Sequence, residues 1–283
     1  MATFTNRATL SYNGRTTDSN VVTGTLTETL SATKTALSTT YAAGGNGAYV
    51  LSLINTGTVP YTGLTVTDNL GAYMVGENTY VPLAYVQDTL RYYVNGVLQP
   101  TPLVTETQPL TVAGISVPAG GNAILVYDTV LTSFAPLGPD GTVVNTVDVT
   151  GAGLTTAVTA TATVTAATEA DLAITKALNP TVVPENGTLT YTFTIQNFGN
   201  TDAVATDNVT VTDTFDPILN ITSVVYEGVA WSEGTEYTYD QATGVFTTVP
   251  GQITVPAATY TQTTTGEWTV IPGTVTLTVT GTV

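Results

Sequence analysis

The sequence predicts an all-β protein built from two tandem antiparallel β-sandwiches. Alternation of apolar and polar residues recurs along the 283 residues, whereas helical periodicity is nearly absent. Turn-forming sequences such as Gly44-Gly-Asn-Gly and Glu185-Asn-Gly separate the alternating segments. One set of segments occurs twice in the same order. Together these observations indicate two modules of about seven short strands each.

The predicted strands are rich in Val, Ile, Thr and aromatic residues. They cover residues 49–54, 64–67 and 123–127 in the first module and residues 189–195, 209–212 and 275–279 in the second. Each module also contains a Tyr-containing segment, at 91–97 or 224–229, followed by an Ile-x-Val-Pro-Ala segment at 115–119 or 253–257. The two modules therefore agree in both the order and the spacing of their elements.

The chain contains only two lysines, Lys34 and Lys176, and each occupies the same place at the start of a module. A surface lysine is exchangeable with other solubilising residues, so two lysines held in register indicate a specific use for the amine. In each module a Val-Thr-Asp sequence, ending at Asp68 or Asp213, follows an Asn-x-Gly turn. The sequence thus pairs one lysine with one aspartate in each module.

The modules differ at their ends. The first continues through Asn145-Thr-Val-Asp-Val and a further strand near 158–165, whereas the second stops at Val283. The missing pattern stands at the other end of the chain, where residues 3–17 match residues 142–156 and Asn6 aligns with Asn145. Residues 21–27 then match the strand near 158–165.

This displacement predicts three domains. We expect an N-terminal donor-strand extension at residues 1–28, a complete sandwich at 29–166, and an incomplete acceptor sandwich at 167–283. A sandwich without its closing strands exposes unpaired backbone groups and apolar side chains, which a donated strand covers. The connection between modules is short, which disfavours closure within one chain. The expected contact is therefore head to tail between identical subunits and propagates into a fibre.

Composition excludes several functional classes. A net charge of −16, from 5 basic and 21 acidic residues, argues against nucleic acid as a partner. The chain has no Cys and no His, which removes disulfides, the usual zinc ligands and Ser-His-Asp chemistry. We therefore expect no cofactor, no metal and no turnover enzyme. The N-terminus does not resemble a secretory signal peptide, and no apolar stretch is long enough to insert into a membrane.

The motifs resemble those of the prokaryotic surface repeat family called domain of unknown function eleven, which is related to isopeptide-bonded Ig-like modules of Gram-positive pili and adhesins. The resemblance rests on Thr33-Lys34, Val66-Thr67-Asp68 and Asn145-Thr-Val-Asp-Val in the first module. In the second it rests on Thr175-Lys176 and Val211-Thr212-Asp213, with Asn6-Arg-Ala-Thr-Leu as the third element. It covers most of the chain and implies an Ig-like fold for both sandwiches.

In the isopeptide-bonded relatives a buried lysine amine attacks an asparagine amide while a neighbouring acidic residue moves protons. The resemblance implies an internal bond from Lys34 to Asn145 assisted by Asp68. It also implies an intersubunit bond from Lys176 to Asn6 of the next molecule, assisted by Asp213. Taken singly, these residues have ordinary structural explanations: Asp caps turns, Asn enters strands, and Lys protects edge strands.

Two functional hypotheses follow. The leading one is a self-assembling structural subunit of an extracellular filament on a cell or spore surface, joined by donated strands and isopeptide bonds. The alternative is an adhesin or S-layer binding module that does not polymerise. The two hypotheses differ in a measurable way, because only strand donation predicts concentration-dependent polymers.

Overall fold

The computed structural model describes residues 2–27 and 29–283. Within these residues nearly all regular structure is β, as the sequence predicts, and one 3₁₀ turn at Ala205–Asp207 is the only helical element. The described residues include no helix long and apolar enough to span a bilayer. Contacts divide the chain into two compact units, Met1–Ala135 with Thr142–Thr165 and Pro136–Gly141 with Ala166–Val283.

Four short N-terminal strands pair with one another and, in the part of the chain that the structure describes, with no other strand. They are β1 (Ala2–Asn6), β2 (Thr9–Tyr12), β3 (Arg15–Asp18) and β4 (Val22–Leu26), with β1 on β4 and β2 on β3. Asn13 and Gly14 both have positive φ, as a two-residue hairpin turn requires. Asn6 lies opposite Val22 and Thr9 opposite Asp18, so the return strand carries one extra residue between the two ladders.

The rest of the first unit has two main sheets. Its strands are β5 (Leu30–Ala36), β6 (Thr40–Tyr41), β7 (Asn46–Asn55), β8 (Tyr61–Asp68), β9 (Tyr73–Val75), β10 (Asn78–Tyr80), β11 (Leu83–Tyr85), β12 (Arg91–Val94), β13 (Val97–Gln99), β14 (Leu103–Thr107), β15 (Leu110–Val117), β16 (Asn122–Leu131), β17 (Thr142–Thr150) and β18 (Val158–Ala166). One sheet has the order β13-β12-β16-β7-β5, and the other has the order β14-β15-β8-β17-β18-β6. The inward side chains of both sheets, such as Leu51, Leu125, Val112 and Val147, form the core.

The second unit repeats the first sheet and part of the second. Its strands are β19 (Leu172–Asn179), β20 (Thr188–Asn197), β21 (Thr212–Thr214), β22 (Asn220–Tyr226), β23 (Val229–Ala230), β24 (Tyr237–Asp240), β25 (Val245–Thr248), β26 (Thr259–Gln262), β27 (Trp268–Ile271) and β28 (Gly273–Thr282). The order β19-β20-β28-β22-β23 corresponds to β5-β7-β16-β12-β13. The order β21-β25-β24 corresponds to β8-β15-β14, and in the described residues no strand of the chain pairs with the other edge of β21.

Most predicted strands lie within observed ones. Residues 49–54, 64–67, 123–127, 189–195 and 275–279 fall in β7, β8, β16, β20 and β28. The prediction for residues 209–212 is wrong except at Thr212, where β21 begins. The equivalent segment of the first unit has β15 and β17 on its two sides, whereas among the described strands β21 pairs with β25 alone. Because β21 has hydrogen-bonding partners on one side only, the regular strand is shorter, with three residues against eight in β8.

Candidate cross-linking sites

Lys34 lies in the core of the first unit. It faces inward from β5, opposite Leu51 of β7, and none of its side chain is exposed. Its Nζ lies 2.6 Å from Oδ2 of Asp68 and 5.1 Å from the centre of the Tyr49 ring. A fully buried lysine is rare unless it is paired, so this ion pair explains why the fold tolerates the amine.

Asp68 ends β8, and every part of its carboxylate has a partner. Oδ1 accepts a 2.8 Å hydrogen bond from the backbone N–H of Leu70. Oδ2, which contacts Lys34, also accepts a hydrogen bond from the Tyr127 hydroxyl. The sequence did not identify Tyr127 as a site residue, because strand alternation predicts that it is buried but does not show which group its hydroxyl contacts.

Asn145 supplies an unpaired amide to the same region. It is fully buried in β17, and neither its Oδ1 nor its Nδ2 forms a hydrogen bond of normal geometry. Val147, the next inward residue of β17, lies directly opposite Asp68, so Asn145 is a diagonal neighbour of the carboxylate. Leaving a buried amide unpaired costs about 1–3 kcal/mol, and this amide lies beside the buried ion pair of Lys34 and Asp68.

Burial controls the protonation of these groups. Desolvation lowers the pKa of Lys34 from 10.5 to about 8, although the nearby Asp68 carboxylate opposes the shift. Desolvation raises the pKa of Tyr49 to about 12, against a favourable contact with the Asn145 amide. It raises the pKa of Tyr127 well above its usual value, and the charge of Asp68 adds to this effect. The Lys34 amine is therefore easier to deprotonate than an exposed one, while both phenols stay protonated.

The second unit reproduces the lysine–aspartate pair of this arrangement. Lys176 lies opposite Phe193 of β20, and its Nζ contacts Oδ2 of Asp213. The amine lies 4.2 Å from the centre of the Tyr191 ring, within the usual range of cation–π contacts. Unlike Lys34, however, Lys176 has 38% of its side chain exposed, because the described residues place no strand over it. Val279 occupies the position that corresponds to Tyr127.

The inward face of β19 is open from Leu172 to Lys176. Leu172 is 38% exposed, whereas the equivalent Leu30 in the first unit is 4% exposed. Ile174 is also exposed, although the equivalent Ala32 is only partly accessible. In the first unit β17 and β18 complete the sheet that faces these positions. The face of the second unit therefore has the form of an open groove.

Asn6 lies at the end of β1 and is exposed. In the ladder of β1 with β4 it faces Val22, just as Asn145 faces Ala162 in the ladder of β17 with β18. The residues on the same face of the strand as Asn6 include Phe4 and Leu10, which are 52% and 61% exposed. Their counterparts Val143 and Val149 are fully buried in the first unit. The N-terminal hairpin thus presents an apolar face that the described residues leave uncovered.

Searches by sequence found no matching family model and no matching curated protein. The resemblance to the surface repeat family accordingly stays a prediction.

Comparison with solved structures found remote likenesses. The major pilin subunit BcpA of Bacillus cereus has 10% identity and a TM-score of 0.35, with 96% of this chain and 73% of that chain covered. The pilus backbone RrgB of Streptococcus pneumoniae has 14% identity and a TM-score of 0.33, with 86% of this chain and 56% of that chain covered. The collagen-binding domain of a Staphylococcus aureus adhesin has 15% identity and a TM-score of 0.30, with 49% and 99% covered. Likenesses this remote carry no functional argument.

Proposed function

We propose that the protein is a self-assembling filament subunit whose N-terminal hairpin completes the second unit of the next copy. The observation that supports this most directly is that two surfaces complement each other: within the described residues, nothing covers the apolar face of the hairpin and no strand pairs with the outer edge of β21. The hairpin repeats the antiparallel pairing and the inward-facing positions of β17, which covers the same edge in the first unit with β18 beside it, although the return strand of the hairpin carries one extra residue. Asn6 would then stand beside Lys176 as Asn145 stands beside Asp68 and Lys34.

Burial supplies the driving force for this association. Phe4, Leu10 and Val22 are all between half and two thirds exposed, and covering the exposed part of each contributes about 1–1.5 kcal/mol. Two strands without further neighbours are marginal in water, so the hairpin also gains backbone hydrogen bonds by joining a sheet. Because the donor and the acceptor are different surfaces, each added copy offers a new acceptor, and the contact propagates as a fibre.

The cross-links follow from the chemistry of the sites. The neutral amine of Lys34 attacks Cγ of Asn145, forming a C–N bond as the amide Nδ2 leaves as ammonia. Asp68 takes a proton from the attacking nitrogen and returns it to the leaving nitrogen, so the carboxyl is unchanged at the end. Lys34 contacts Asp68, and Asn145 lies diagonally across from Asp68, so the reaction would be a single intramolecular event rather than a turnover. Lys176, Asp213 and Asn6 of the neighbouring copy would react in the same way.

This assignment places the protein outside the cell, in a filament on a cell or spore surface. Its partners are identical subunits, and it needs no cofactor. The short link between the N-terminal hairpin and β5 favours donation to a neighbour over closure within one chain.

Purified protein tests the proposal. The full chain should form fibres visible by electron microscopy, with light scattering that rises with protein concentration. A variant lacking residues 1–28 should stay monomeric and folded, because the described part of the chain pairs β1–β4 with one another and with no strand of either sandwich. Monomeric full-length protein at high concentration would contradict the proposal and favour the adhesin or S-layer alternative.

A further inference from the structure

We propose that the tip of the donated hairpin, formed by Tyr12 and Arg15, docks into an acidic pocket in the second unit of the neighbouring copy. This inference rests on the proposed function and names a contact beyond the strand pairing and the cross-link. It would fix how far the hairpin slides along β21 before Asn6 meets Lys176.

The acidic pocket lies where β19 begins and the chain approaches β21. Its apolar lining comes from Leu172, Ala203 and Val209, and its carboxylates come from Glu169, Asp202 and Asp207. Among the described residues none of these three carboxylates takes part in an ion pair. Nor does any group of acidic side chains there have the arrangement of a metal site. The pocket therefore suits a ligand with an apolar body and a positive end.

The pairing of β17 with β8 in the first unit indicates which hairpin residue would occupy the acidic pocket. In that unit Val149 faces Val66, and the next inward step brings Gly151 against Leu64, where an added Cβ would meet Leu64 Cδ2 at 2.9 Å. With Asn6 at the place of Asn145, Tyr12 takes the place of Gly151. The acceptor has Val209 where the first unit has Leu64.

Tyr12 is much larger than Gly151, and Val209 is smaller than Leu64 by only one methylene, so the tyrosine ring would need the open space of the pocket beside Val209. Leu64 is fully buried beside Gly151, whereas Val209 borders an open pocket. Tyr12 itself is 53% exposed. A tyrosine ring has the apolar body that the space between Leu172 and Val209 would accommodate.

Charge points to the same pairing. Tyr12 lies directly opposite Arg15 across the hairpin, so both side chains project from one face. Arg7, the other hairpin cation, is bound to Asp18 at 3.1 Å, but Arg15 forms no ion pair among the described residues. The guanidinium would enter the pocket beside the three carboxylates. In a subunit of net charge −16, one such pairing offsets repulsion at the joint and steers the approach.

A charge exchange in the full chain tests this inference. Arg15→Glu and Glu169→Arg should each slow polymerisation by at least about tenfold at low salt, and the double variant should recover most of the rate. Arg91→Glu makes the same change in net charge at an exposed arginine of the first unit and serves as the control. Tyr12→Ser should also slow assembly without changing the melting temperature of the monomer.

The outcomes separate this inference from the proposed function. If Arg15→Glu polymerises as Arg91→Glu does, or the double variant shows no recovery, the tip contact is wrong while strand donation stands. If wild-type protein does not polymerise, both are wrong.

Discussion

At the scale of single residues, Lys34 and Asn145 each carry a cost that the fold does not remove. A buried amine loses hydration, and the buried amide loses its contacts with water without gaining a hydrogen bond of normal geometry. Both side chains lie beside one carboxylate, that of Asp68. A bond between the two side chains would remove both costs, because it converts the amine and the primary amide into a single neutral amide.

The titration of Lys34 leads to a prediction for the Asn145→Ala variant, in which the amine stays free. Its pKa is about 8 in the folded chain and 10.5 in the unfolded chain, so between these values the unfolded state holds more protons. The free energy of unfolding should therefore rise with pH, by about 1–2 kcal/mol from pH 7.5 to 9.5. Denaturant unfolding at a series of pH values measures it.

Above about pH 10 the trend should reverse in this variant. The unfolded chain then loses the protons of Tyr49 and Tyr127, whose pKa values are raised in the folded state. The control is the double variant Lys34→Met with Asn145→Ala, which should lack the rise between pH 7.5 and 9.5. A flat profile in Asn145→Ala itself would show that burial does not lower the pKa of Lys34.

At the scale of elements, the first two strands of the hairpin, β1 and β2, place different kinds of residue on their two faces. Phe4, Asn6 and Leu10 project from one face, whereas Thr5 projects from the other. The sequence predicted the donor strands by their match to residues 142–156, but it did not show the extra residue in the return strand. That irregularity depends on how the two ladders meet at Ala8 and Ser19, which no periodicity encodes.

The two faces should differ in their response to a charge. Leu10→Asp should slow polymerisation by at least about tenfold, since burying a carboxylate costs more than the roughly 1.4 kcal/mol that corresponds to that factor. Thr5→Asp makes the same charge change on the outward face and should polymerise at nearly the wild-type rate. Light scattering on matched concentrations compares them. Equal inhibition by the two substitutions would argue against burial of this face.

At the scale of the whole molecule, the two lysines have different surroundings. Lys34 is enclosed by its own unit, while Lys176 is partly exposed beside the edge of β21 that no described strand pairs with. The cross-link in the first unit would stabilise the subunit against unfolding, and the one in the second unit would join neighbouring subunits covalently.

Two substitutions should separate these roles. Lys176→Ala should still form fibres, but boiling detergent should reduce them to monomers whose mass is lower by one ammonia. Lys34→Ala should keep a ladder of covalent oligomers and lose thermal stability within each subunit. Gel electrophoresis and intact mass spectrometry give both readouts. A ladder that survives in Lys176→Ala would overturn the intersubunit bond to Asn6.

The sequence by itself determined the fold class, the repeat and the registration of Lys34 with Lys176 and of Asp68 with Asp213. It could do so because side-chain alternation and order along the chain are local properties. Only the tertiary structure decided three other features. Tyr127 donates a hydrogen bond to Asp68, the amide of Asn145 is buried without a hydrogen bond of normal geometry, and one face of β19 is exposed. These features depend on contacts between strands far apart in sequence, where burial sets the cost of each charge and each unmade hydrogen bond.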